Sequence, residues 1–126
     1  MRLINRGAGE QTDRLTILAL KILHGAADGK DVKHFEDERN ALLTLIRART
    51  LNGSWFKQVL QLGATNAALW YAEDVLRGMR DEGPTDVLLR AAGQLAFRIQ
   101  ELNDQRGQLV EAINKLTGDH IAQEKL

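Results

Sequence analysis

The sequence contains no cysteine, and this excludes several kinds of site at once. Without thiols the chain has no disulfide framework, no thiol nucleophile and no thiolate metal ligand, a composition that fits the reducing cytoplasm. Proline occurs once, serine occurs once, and aromatic residues make up only 5% of the chain. With 126 residues, 44% of them hydrophobic, the composition indicates one helical domain covering residues 1–126.

Net charge is also lacking, because 17 basic residues balance 17 acidic ones. Such a chain has no long-range attraction for phosphate backbones or anionic lipid, so we expect no nucleic-acid binding. No segment approaches the roughly 18 consecutive apolar residues of a membrane helix, and the first residues lack the apolar core of a secretory signal. We therefore expect a cytoplasmic protein without membrane insertion.

What the sequence does contain is a long helical pattern after the single proline, between Thr85 and Thr117. Its seam positions alternate between spacings of four and three: Leu88, Ala92, Leu95, Ile99, Leu102, Arg106, Leu109, Ile113 and Leu116. This spacing predicts a helix that packs lengthwise against partners. Thr85 or Asp86 is the expected cap and Gly118 the expected end. At roughly 1.5 Å per residue the helix is about 48 Å long.

Three further helices precede it, and short connections join all four. They are expected from about Gln11 to Leu23, from about Asp31 to Thr50, and from about Trp55 to Met79. The expected caps are Thr12 or Asp13, Asp31, and Ser54. Since short connections favour antiparallel neighbours, we predict an all-α antiparallel four-helix bundle with a long C-terminal helix. Residues 1–9 and 119–126 lack periodicity and are expected to be flexible or partner-docked arms.

The first helix predicts self-association. Its apolar residues cover most of the helix circumference: Leu15, Ile17, Leu18, Leu20, Ile22 and Leu23. In a lone bundle one side of such a helix would stay apolar and exposed. We therefore expect a homo-oligomer, formed through the first and fourth helices.

Polar residues interrupt the seams of the last three helices, namely Arg39, Asn66, Glu73 and Arg106. An unpaired charge in a dry seam costs several kcal/mol, so each needs a partner or water. The height of each residue along the bundle can be counted from the turns between successive helices. Residues at equal height on neighbouring helices predict two polar layers. One layer joins Asp13 to Arg106 near Thr16, Arg39, Asn66 and Asn103, and the other joins Lys21 to Glu73 or Asp74. The alternative is that these groups only fix helix register.

Several of these residues lie in short motifs that resemble those of small bacterial helical proteins of uncharacterised function. Some proteins of that type occur in settings linked to glycosyltransferases and surface polysaccharide. The resemblance implies an all-α fold and a functional role, with no reaction attached, for a set of polar and aromatic residues. The motifs are Asp13 to Leu18 with Lys21, Asn66 to Trp70 with Glu73, Asp74 and Arg77, Leu102-Asn103 with Arg106, and Ile113-Asn114.

Known catalytic and metal motifs are not found. A di-metal site in a bundle needs inward Glu residues and Glu-x-x-His pairs, and the chain offers only Asp31 three residues before His34. We expect His24, His34 and His120 to face solvent, and no metal or cofactor is expected. There is no phosphate-binding glycine loop and no nucleophile elbow. Trp70 could stack on a sugar or base, or belong to the core.

Two functions follow from this pattern. The first is a non-enzymatic module that oligomerises and docks on a larger protein partner. The second is a site for a small molecule, such as a sugar phosphate or nucleotide, built on Arg39, Asn66, Asn103 and Arg106. The sequence does not decide between them, and it leaves enzymatic activity open.

Overall fold

Four α-helices make up the fold, and the structure, a computed structural model, describes residues 7–49, 51–83 and 85–119. The helices are α1 (Ala8–Ala27), α2 (Lys33–Arg47), α3 (Gly53–Glu82) and α4 (Asp86–Thr117). These ranges contain no strand, which confirms the predicted all-α class. Within the same ranges, every helix is too short or too polar to cross a membrane.

The two ends of α4 agree with the sequence prediction. The Thr85 side chain accepts a hydrogen bond from the backbone N–H of Leu88 (3.1 Å), and Gly118 ends the helix in the left-handed conformation with φ 80°. At α3 the predicted cap is wrong. Asn52 rather than Ser54 accepts from a backbone N–H, that of Trp55 (3.2 Å), so the helix begins earlier, at Gly53.

Helix α1 also begins earlier than predicted. Ala8 and Gly9, expected in a loose arm, form its first turn and are buried. Thr12 and Asp13, expected as caps, lie inside the helix and are buried too. The prediction failed because the groups that cap this helix come from the distant end of α4. Residues 1–6 and 120–126, including His120, lie outside the described residues.

Helix α1 is the centre of the packing, since it contacts α2, α3 and α4, while α3 and α4 also pack on each other. These contacts bury Leu18 completely and the other large apolar residues of α1 in part, whereas Leu23 stays 65% exposed. The expected apolar side of α1 is therefore reduced, with Leu23 as its most exposed residue. In the part of the chain that is described, α2 packs along α1 alone and makes no extended contact with α3 or α4.

The helices differ in length, and this leaves part of the molecule uncovered. Helix α1 has 20 residues, against 30 in α3 and 32 in α4. At about 1.5 Å per residue, α3 is about 15 Å and α4 about 18 Å longer than α1. Near the end of α1, His24 stacks on Trp70 of α3. The segments beyond this contact, residues 74–82 of α3 and 86–97 of α4, are called the hairpin arm below.

Candidate functional site

Asp13 is the centre of a polar cluster between α1, α3 and α4. Its carboxylate accepts hydrogen bonds from Arg106 Nε (2.9 Å to Oδ1) and Nη2 (2.5 Å to Oδ2). The Asn66 amide Nδ2 donates to Asp13 Oδ1 (2.8 Å) and to Thr16 Oγ1 (2.8 Å). The predicted pair of Asp13 with Arg106 is thus present, and Asn66 joins it as expected.

The cluster is partly shielded from solvent, which strengthens its charge pairing. Asp13 is only 8% exposed and Asn66 only 4%. The hydrogen bond to Asp13 raises the pKa of Arg106, and partial burial opposes the rise. The guanidinium therefore stays charged and pairs with the Asp13 carboxylate. A bidentate Arg–carboxylate pair also fixes orientation, so it sets the register of α4 on α1.

A small cavity adjoins this cluster where the three helices meet. Its volume is about 210 Å³. One side is apolar, and the other carries charged and amide groups. The lining residues are Ile17, Leu20, Lys21, Asn66, Leu69, Trp70, Glu73 and Arg106. The cavity therefore collects Lys21, Asn66, Trp70, Glu73 and Arg106 from the predicted site.

Arg39 and Asn103 do not join the cluster, contrary to the prediction. The Arg39 guanidinium bonds its neighbour Asn40 (3.3 Å), and α2, which carries it, does not pack along α3 or α4. Asn103 is exposed on α4. It directly follows buried Leu102, and one residue turns a helix by about 100°, so its side chain leaves the packed face. Counting levels predicts how high a residue lies along its helix. It does not predict the direction in which the side chain points around the helix axis.

The predicted layer of Lys21 with Glu73 or Asp74 is not formed either. The Lys21 ammonium lies over the ring of Phe35 on α2, 5.1 Å from its centroid, and it pairs with neither carboxylate. Asp74 is exposed and pairs with Arg77 on its own helix. Asp74 follows Glu73 on α3, so it too is turned away from the cavity.

Trp70 has a second role beside the cavity. Its indole stacks on the His24 imidazole, with ring centroids 4.7 Å apart and an angle of 9° between planes. His24 is exposed, as the sequence analysis expected, and still makes this contact. The stack covers the end of α1, so Trp70 is half-buried packing as well as cavity wall.

A second polar cluster, at the start of α1, was missed by the sequence analysis. Asn114 Oδ1 accepts from the Gly9 backbone N–H (2.7 Å), and Asn114 Nδ2 donates to Glu10 (2.6 Å). Asp119 Oδ2 accepts from the Ala8 backbone N–H (2.8 Å) and from the Arg49 guanidinium (2.8 Å). These contacts satisfy N–H groups at the start of α1 that have no partner within the helix.

The sequence signal for this cluster is the run of small residues at the start of α1, Gly7, Ala8 and Gly9. A Cβ atom built on Gly9 would lie only 2.2 Å from the Val110 carbonyl oxygen. The close approach of α4 to α1 therefore requires glycine at position 9. Nothing near Asn114 or Asp119 in the sequence points to Gly9, because the contact spans the whole chain. The one local sign of a distant cap is Gly7 at the N-cap position of α1, because glycine has no side chain that could cap the helix.

The chemistry of the two clusters is that of structural pairing. In the described ranges no group of three or more His, Asp or Glu side chains could hold a metal ion. Asp13 and Arg106 are committed to each other, and Asp119 to α1 and Arg49. No protein-family model matches the sequence, and neither curated proteins nor solved structures give a match.

Proposed function

We propose that the chain is a non-enzymatic assembly module that associates with a second copy of itself through the hairpin arm. The observation that carries this proposal is the exposure of large apolar residues on the arm. Val87 is 77% exposed, Leu89 59% and Phe97 69%. Leu89 and Phe97 lie on the same face of α4, and large apolar groups on one exposed helix face favour a protein interface over free exposure to water.

The arm also has an apolar groove between its two helices. The groove has a volume of about 440 Å³ and is lined by Leu76, Met79, Leu88, Leu89 and Ala92, with Arg77 and Arg80 at its edge. The seam of α4 continues through this region at the same spacing as in the covered half of the helix. The seam residues Leu88, Ala92 and Leu95 are only half-buried here, so the groove can still accept a further helix.

A second copy fits this groove better than an unrelated helix, because α4 complements itself. Leu89, Gly93 and Phe97 are spaced by four and share one face of the helix. In an antiparallel pair of α4 helices centred on Gly93, Leu89 of each copy faces Phe97 of the other. Gly93 is exposed, and a Cβ atom there would meet nothing within 4 Å, so its lack of a side chain allows close helix approach.

The arrangement within one chain fits an antiparallel bundle. Contacts between α1 and α4 run in opposite sequence order, from Gly9 with Asn114 to Asp13 with Arg106. We propose that α1 to α4 alternate in direction and that two paired arms form a second four-helix bundle. Both polar clusters then hold the chain in register and leave the arm to bind. The paired chains would also bind a larger protein partner, in the polysaccharide-related setting that the resemblance implies.

Molar mass in solution tests this proposal, using size-exclusion chromatography with light scattering. We expect the mass of two chains for the wild type. Leu89→Glu places a charge on the arm and is expected to give the mass of one chain. Leu60→Glu is the matched control, because Leu60 is 60% exposed on α3 outside the arm and is expected to keep the mass of two chains.

A wild-type protein with the mass of one chain would refute self-association. A monomer produced by Leu60→Glu together with a dimer of Leu89→Glu would refute the arm as the interface. Circular dichroism of both variants separates loss of pairing from loss of fold, and neither exposed leucine is expected to affect helix content.

A further inference from the structure

Two charged groups line the cavity beside the Asp13 cluster and form no ion pair with the described residues. Lys21 lines it from α1, and its ammonium lies over the Phe35 ring of α2. Glu73 lines it from α3, is exposed, and accepts no hydrogen bond from the described residues, although its charge contributes to the raised pKa of Arg106. Asp13 and Arg106 form an ion pair, so the remaining charges at the cavity are one cation and one anion.

Two further features of the cavity wall matter for binding. The Asn66 amide donates both of its N–H groups to the cluster, while its Oδ1 atom accepts no hydrogen bond from the described part of the chain. Asn66 is only 4% exposed, and it lines the cavity. The remaining wall is apolar and consists of Ile17, Leu20, Leu69 and the Trp70 indole.

We infer that this cavity binds a small zwitterion with an aliphatic side chain, an α-amino acid in chemical class. Its carboxylate would pair with Lys21, its ammonium would donate to Glu73 and to Asn66 Oδ1, and its side chain would pack on the apolar wall. A zwitterion leaves the site neutral, and charge-assisted hydrogen bonds supply affinity where the site is partly shielded from water.

Size and charge separate this ligand class from a phosphorylated one. The cavity of about 210 Å³ is below the roughly 300–1,000 Å³ of ordinary ligand sites, which disfavours a nucleotide. A phosphate group would bring a charge of nearly −2 against the single unpaired cation. The site lies within one chain, so binding does not depend on pairing of the arms.

Proton–nitrogen correlation NMR of the full chain tests this inference. The chain has two tryptophans, so two indole N–H signals are expected. We use L-leucine as the probe and expect it to shift the Trp70 signal at millimolar concentrations. The Trp55 signal is the internal reference, because Trp55 does not line the cavity.

Analogues of the probe test each charge without changing the protein. 4-Methylpentanoate lacks the ammonium and 3-methylbutylamine lacks the carboxylate. Each is expected to bind at least about tenfold more weakly than L-leucine, the loss that one charge-assisted hydrogen bond gives. Glucose 6-phosphate and inorganic phosphate are expected to leave the Trp70 signal unchanged.

Variants test the assigned residues. Lys21→Met and Glu73→Gln are each expected to weaken L-leucine binding by about tenfold or more. Asp74→Asn is the matched control, since Asp74 neighbours Glu73 but does not line the cavity, and binding is expected to be unchanged. No shift with L-leucine, equal binding of the charge-deleted analogues, or stronger binding of a phosphate would each overturn the inference.

Discussion

Asp119, two residues beyond the end of α4, accepts a hydrogen bond from the backbone N–H of Ala8, the first residue of α1 (2.8 Å). Its carboxylate also binds the Arg49 guanidinium, which follows α2. One carboxylate therefore connects the start of the described chain with its end and with α2. A negative charge at a helix N-terminus is favourable as well, because it opposes the positive end of the helix dipole.

Replacing Asp119 tests this connection. Asp119→Asn removes the charge at the start of α1 and is expected to lower the free energy of unfolding by about 1–2 kcal/mol. Urea denaturation at neutral pH measures the loss. Asp104→Asn is the control, because Asp104 is exposed and far from any helix N-terminus, and it is expected to change stability by less than about 0.5 kcal/mol. Equal effects of the two substitutions would contradict the capping role.

The same variant has a defined pH dependence. Burial raises the pKa of the Asp119 carboxyl, but hydrogen bonds from Ala8 and Thr117 and the Arg49 charge lower it, for a net decrease below 3.8. The unfolded chain therefore takes up this proton first as pH falls. The stability difference between wild type and Asp119→Asn is expected to be complete at neutral pH and to shrink below about pH 4. A difference that stays constant down to pH 2 would argue against an ionised cap.

Two helical glycines should respond oppositely to alanine. At Gly9 a Cβ would lie 2.2 Å from a backbone oxygen of α4, so Gly9→Ala must separate α1 from α4. We expect a loss of at least about 2 kcal/mol, as for overpacked sites. At Gly107 a Cβ meets nothing within 4 Å, so Gly107→Ala is expected to gain about 0.5–1 kcal/mol from helix propensity. Urea denaturation compares both, and a destabilised Gly107→Ala together with a tolerated Gly9→Ala would contradict this packing.

The Asp13 cluster should behave as a coupled pair. Asp13→Ala, Arg106→Met and the double variant form a cycle whose coupling free energy is expected to be about 1–3 kcal/mol. Arg106 retains 34% side-chain exposure, which keeps the value below that of a fully buried pair. The exposed pair Lys33 and Asp37 is the control cycle, and its coupling is expected to be much weaker because water screens both charges. If the decreases in the free energy of unfolding caused by Asp13→Ala and Arg106→Met add up to that of the double variant, the two residues do not act together.

The helices of this protein were predictable where apolar spacing and local caps agree. For α4, the seam through Leu102 and Ile113 and the caps at Thr85 and Gly118 all indicated the same boundaries. The pairing of Asp13 with Arg106 could also be predicted from the sequence, because the rise per residue of a helix determines which residues lie at the same height. Level alone does not give direction around the helix, and for that reason Asn103 was placed inside although it faces solvent.

The start of α1 could not be predicted from local sequence. Its capping groups, Asn114 and Asp119, are more than a hundred residues away in the sequence from the backbone N–H groups that donate hydrogen bonds to them. The expected position of Arg39 is wrong for a related reason, because counting levels across the hairpins treats every helix as part of one bundle, whereas α2 packs along α1 alone. Tertiary arrangement decided both cases.

Cysteine cross-linking at Gly93 tests the central claim most directly, because the native chain has no cysteine to compete. A disulfide requires the two Cα atoms to lie within about 7 Å, which only the residue at the helix crossing satisfies. Under mild oxidation Gly93→Cys is predicted to form a covalent dimer, while Gly107→Cys, equally exposed on α4, is predicted to stay monomeric on non-reducing gels. Cross-linking at residue 107 with none at residue 93 would contradict the paired arms.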